Sequence, residues 1–145
     1  MNKRKIIIQT AGIVLVLLFF AAPLVQCSQD SSISATGLEI STGTGQLMGE
    51  AETSYPYVFV LLALPIILVI LGFINKSLSV LRNVSIGGLA AFIAFMIGAY
   101  TMLNSGEYAG AFVLTGFNWL FIAIYAGIIG FTQYCIIQDK KTTTT

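Results

Sequence analysis

Long stretches without a single charge alternate with short polar segments along this chain. Four apolar runs stand out, at about 6–26, 57–74, 84–103 and 108–137, and none contains Asp, Glu, Lys or Arg. A helix rising 1.5 Å per residue crosses a hydrocarbon layer ~30 Å thick in about 20 residues, so each run is long enough to span. Hydrocarbon offers no water to backbone N–H and C=O groups, so the runs must be helices rather than isolated strands. The pattern predicts an all-α membrane protein: one four-helix bundle over residues 1–141, a long first outer loop at 27–53, and a disordered low-complexity tail at 142–145. The last two connections are short, which makes the helices they join antiparallel neighbours.

Local signals refine this outline. Ser54 and Pro56 precede the second run as a cap and a first-turn proline would. Pro65, in the middle of that run, removes a backbone donor and predicts a kink, while Pro23 predicts a bend in the last turn of the first helix. In the outer loop Ile33 and Ala35 alternate with serines, and Leu38 and Ile40 flank Glu39, so one or two short strands are expected there.

Charge orients the outline. All seven basic residues, Lys3, Arg4, Lys5, Lys76, Arg82, Lys140 and Lys141, fall on one side of the four runs. Asp30, Glu39, Glu50, Glu52 and Glu107 fall on the other. The positive-inside rule then places both termini and the second loop in the cytoplasm, for a multi-pass protein of the inner (cytoplasmic) membrane. The basic start of the first run also resembles a secretory signal, but Gln26 stands before Cys27 where a lipoprotein cleavage site takes a small residue. An uncleaved first helix is expected.

Composition agrees with lipid: 57% of residues are hydrophobic and 9% charged, against about 25% charged in soluble domains. The net charge of +1 gives no reason to expect a nucleic-acid partner. The chain has no histidine, which removes the commonest metal ligand and proton shuttle. Its two cysteines, Cys27 and Cys135, should lie a membrane thickness apart and cannot pair. No nucleophile–base arrangement, phosphate loop or metal-ligand spacing is present, so no catalytic, cofactor or metal residue is assigned and no enzyme activity is expected. With no ionisable group inside any run, the signature of pumps, ion-coupled carriers and voltage sensors is also missing.

The remaining candidates are contact surfaces. In the third run Ala90, Ala94 and Gly98 repeat every four residues beside Gly87 and Ala91. In the fourth run Ala123 and Gly127, and Ala126 and Gly130, share that spacing. Small residues four apart let membrane helices approach closely, either inside the bundle, the expected use, or at an interface with another chain. Asn118 is the deepest amide; an interhelical hydrogen bond from it would contribute about 0.6 kcal/mol. Trp119 beside it is a packing aromatic or a partner contact. In the outer loop Ile33, Gly37, Leu38, Glu39 and Ile40 form either a small cap over the bundle or a recognition surface.

The first run leading into Pro23 and Cys27, then Thr36-Gly37-Leu38-Glu39-Ile40-Ser41-Thr42-Gly43 and three more runs, resembles a class of small uncharacterised bacterial tetraspan membrane proteins. The architecture is also similar to claudin-type tetraspans, whose long first outer loop forms strands. The tryptophan and paired cysteines of the claudin loop are missing, so the resemblance implies a fold and no adhesive activity. The leading function is therefore a non-catalytic membrane scaffold or accessory subunit. Its partners would be membrane lipid and either copies of itself or other membrane subunits. The alternative is an oligomeric channel or transporter for a small solute, lined by residues such as Thr115 and Asn118.

Overall fold

The computed structural model describes residues 3–44, 55–74, 77–105 and 109–143. Four of its helices are long and apolar enough to cross a membrane: α1 (Lys3–Ala21), α3 (Val60–Phe73, entered through a 3-10 turn at Pro56–Phe59), α4 (Leu78–Leu103) and α5 (Phe117–Thr143). Between α1 and α3 lie two short strands, β1 (Pro23–Cys27) and β2 (Ser34–Thr36), and the short helix α2 (Gly37–Thr42); β3 (Phe112–Leu114) precedes α5. Glu50, Glu52, Ser54, Lys76, Glu107 and the last two threonines lie outside the described residues.

α1 packs on α3, α3 on α4 and α4 on α5, and α5 closes back on α1. The helices alternate in direction. At one end the Arg4 guanidinium, near the start of α1, lies 2.6 Å from the Asp139 carboxylate near the end of α5. Arg82, early in α4, donates to Gln133 of α5 at 2.7 Å. Every basic residue among those described sits at this basic end. The strands and α2 form a cap over the opposite end.

The helices meet through a regular stagger. Buried positions in α5 are Asn118, Phe121, Tyr125, Ile128, Thr132 and Cys135, in steps of three and four. On the neighbouring α4 they are Leu81, Ser85, Gly88 and Phe92, with the same steps. Leu61, Pro65, Leu68 and Gly72 continue it on α3. A repeat averaging 3.5 residues is the seam of left-handed helix packing, in which side chains interlock along one narrow stripe. Phe92 and Phe121 stack at its centre, ring centroids 4.7 Å apart and planes 11° from parallel.

Several boundaries differ from the sequence expectation. The first helix stops at Ala21 instead of reaching residue 26. Proline disfavours helical geometry in the residue before it, and Pro23 starts β1 instead of bending a last helical turn. The fourth helix starts at Phe117, because residues 112–114 pair with β1 as β3. The sheet order is β2-β1-β3, all antiparallel, with Val25 opposite both Ala35 and Leu114 and a bulge between Pro23 and Val25. The expected strand does form, at Ser34–Thr36, with Ile33 in the bend just before it. Leu38–Ile40 instead becomes helix α2, because Thr36 and Glu39 form a reciprocal capping box and Gly43, at φ 72°, ends the helix in the left-handed conformation. At the other end of the chain Thr142 belongs to α5, contrary to the expected disordered tail.

Candidate interaction surfaces

Close helix contacts inside the bundle use glycines other than those singled out from the sequence. A Cβ on Gly12 would come within 2.8 Å of Val69, and one on Gly72 within 2.6 Å of the Gln9 side chain, so both bring α1 against α3. A Cβ on Gly88 would overlap the Tyr125 ring, which rests on α4 at that point. On α5, by contrast, Ala123, Ala126, Gly127 and Gly130 are exposed on the outer side, and a Cβ on either glycine would meet nothing within 4 Å. On α4, Gly87, Ala90, Ala94 and Gly98 are exposed as well, and Ala91 is half-buried. Trp119 lies on the same outer side of α5 and is 67% exposed. The exposed faces of α4 and α5 therefore carry these small residues, with the large aromatics Tyr100, Phe117 and Trp119 exposed toward the cap.

Asn118 faces the other way and is fully buried. Its amide donates to the Leu24 carbonyl of β1 at 2.8 Å and to the Thr115 carbonyl at 2.9 Å. The Thr115 hydroxyl donates to the Pro23 carbonyl. These bonds satisfy carbonyls of the strand that leaves α1 and tie the cap to the start of α5. The Asn118 Oδ1 finds no hydrogen-bond partner among the described residues. The other interior hydroxyls are held locally: Ser85 donates to the Leu81 carbonyl at 2.9 Å and Thr132 to the Ile128 carbonyl at 2.8 Å.

Of the outer-loop candidates, Gly37 and Ile40 are buried, and Gly37 lies against the Phe19 ring of α1. The Glu39 carboxylate accepts the Thr36 N–H at 2.7 Å. Ile33 contributes its carbonyl to the Cys27 N–H at 2.8 Å and is half-buried, as is Leu38. The cap's exposed edge is instead the turn at Ser28–Ser32. There the Asp30 carboxylate accepts from the Ser32 amide at 2.9 Å and the Ser32 hydroxyl at 2.6 Å. These two bonds hold the Asp30 carboxyl below the usual carboxylate range.

Both cysteines are free thiols, Cys27 half-buried in β1 and Cys135 buried in α5 near the basic end. Among the described residues no three His, Cys, Asp or Glu side chains gather where a metal ion would bind. Comparison with known proteins supplies no relative: no family model, curated protein or solved structure matches the chain.

Proposed function

We propose that this chain is a non-catalytic integral subunit of the inner (cytoplasmic) membrane, with both termini in the cytoplasm. It assembles with further copies of itself or with other membrane subunits through the outer face of α5. The supporting observation is that Ala123, Ala126, Gly127 and Gly130 point out of the bundle, while the fold's own close approaches fall to Gly12, Gly72 and Gly88. Lipid tails are as apolar as leucine, so hydrophobicity does not drive membrane helices together. Close backbone approach at small residues does, through van der Waals packing. The orientation rests on the basic residues gathered at one end of the bundle and the positive-inside rule.

The test is extraction in mild detergent, followed by mass determination and identification of whatever co-purifies. A fixed stoichiometry above one is expected, and Gly127→Leu combined with Gly130→Leu lowers the assembled fraction at least tenfold while helix content is unchanged. A strictly monomeric protein that shows turnover or solute flux would sink the reading.

A further inference from the structure

An apolar groove lies on the opposite flank of the bundle, between α3 and α4 beneath the cap. Its volume is about 480 Å³, within the ~300–1,000 Å³ of small-molecule sites. Ala91, Ala94 and Gly98 line it from α4, with Phe95, Met102 and Leu103 beside them. Val58 and Leu61 face them from the α3 side, and cap residues such as Ala35 and Phe112 form the roof. Tyr55 and Tyr57 also line it, their rings edge-to-face with centroids 5.8 Å apart.

We propose that this groove binds an acyl chain of a lipid from the leaflet on the cap side. The inference rests on the membrane reading above and adds a ligand that reading does not name. Length and volume select the occupant. Along α4 the lining runs from Ala91 to Leu103, a rise of about 18 Å, close to half of a ~30 Å hydrocarbon core. The groove is therefore one leaflet deep. A transmembrane helix runs the full ~30 Å of the core, nearly twice the groove's length, so the groove matches a single leaflet's chain better than a second helix. An alkyl chain, whose carbons pack ~4 Å from their neighbours, takes roughly 250 Å³ and fits. The tyrosine pair stands at the cap end of the lining, where phenol rings sit at headgroup depth and can donate a hydrogen bond to a phosphate or ester oxygen.

The full chain is reconstituted in phosphatidylethanolamine–phosphatidylglycerol vesicles containing a phosphatidylglycerol with a photoreactive diazirine at its chain end. Crosslinked peptides are then mapped. Labelling at residues 91–103 should saturate with probe and fall with excess unlabelled lipid, while labelling of the exposed α1 face around Ile13 and Leu17 rises linearly as bulk lipid contact does. Ala94→Phe and Gly98→Leu, each filling the groove, should cut labelling at residues 91–103 about tenfold and leave labelling of the exposed α1 face unchanged. Saturation is read on the unaltered protein and stands even if a variant misfolds. Non-saturating labelling of the groove overturns the proposal, as does a disulfide between copies of a Gly98→Cys variant, which would put a second copy there. Labelling at neither site would mean the chain is not in the bilayer, a failure of the membrane reading itself.

Discussion

Two glycines on adjacent helices carry opposite consequences. Gly88 lies under the Tyr125 ring, and Gly127 faces outward with open space around it. Alanine is intrinsically better than glycine in a helix by up to ~1 kcal/mol, so propensity alone favours both Gly88→Ala and Gly127→Ala. At Gly88 the added methyl must displace a buried aromatic ring, and overpacking costs about 1–3 kcal/mol. Packing therefore wins at Gly88, and propensity wins at Gly127. Unfolding by titration with a denaturing detergent, followed by circular dichroism, should show Gly88→Ala destabilised by about 1 kcal/mol or more and Gly127→Ala unchanged or slightly stabilised. Equal effects at both sites would contradict the packing described. The sequence makes both residues visible as small, but nothing in it distinguishes the one that meets a ring from the one that faces out of the bundle.

At the scale of elements, the cap is where local chemistry outcompetes pattern. Leu38-Glu39-Ile40 alternates like a strand, yet Thr36 and Glu39 are spaced for a capping box and Gly43 for a left-handed helix end. These two signals specify α2, and both are legible in the sequence. Replacing Thr36 by alanine removes the side-chain acceptor for the Glu39 N–H, at a cost of about 1 kcal/mol. Amide exchange across residues 37–42 should accelerate several-fold, with α4 and α5 unaffected. The turn between β1 and β2 carries a pH dependence of determined sign. The Asp30 carboxyl is depressed in the fold by its bonds to Ser32, so its contribution is present above the ordinary aspartate value of ~3.9 and is lost as pH falls through the lower folded value. Protection of the Ser32 amide should persist at pH 5 and decline only in stronger acid, and Asp30→Asn should weaken it while removing the pH dependence. The strand pairing of β1 with β3 had no comparable signal. Residues 23–27 and 112–114 are as apolar as the helices beside them, and the pairing joins segments about ninety positions apart.

For the whole molecule, the end-to-end asymmetry of charge leads to a test of orientation. With Cys27 and Cys135 both replaced by serine, a membrane-impermeant maleimide applied to intact cells should label a Ser31→Cys variant in the cap and leave Lys141→Cys unlabelled until the membrane is opened. The reverse pattern would invert the assigned topology. Four helices of sufficient length and apolarity, their alternation in direction and the clustering of basic residues at one end could all be read from the chain. Each depends only on which residues water accepts and which it rejects. The side each helix turns inward could not be read in this way. In a soluble bundle the buried stripe is apolar and the outer face polar, so periodicity reveals the core. Here both faces are apolar, and only interlocking shape separates them, as in the three-and-four stagger along α4 and α5. The tertiary structure alone decided which glycines make contact, which small residues are left outward, and that an apolar groove opens beside α4, because close packing is a property of paired surfaces and no single helix contains it.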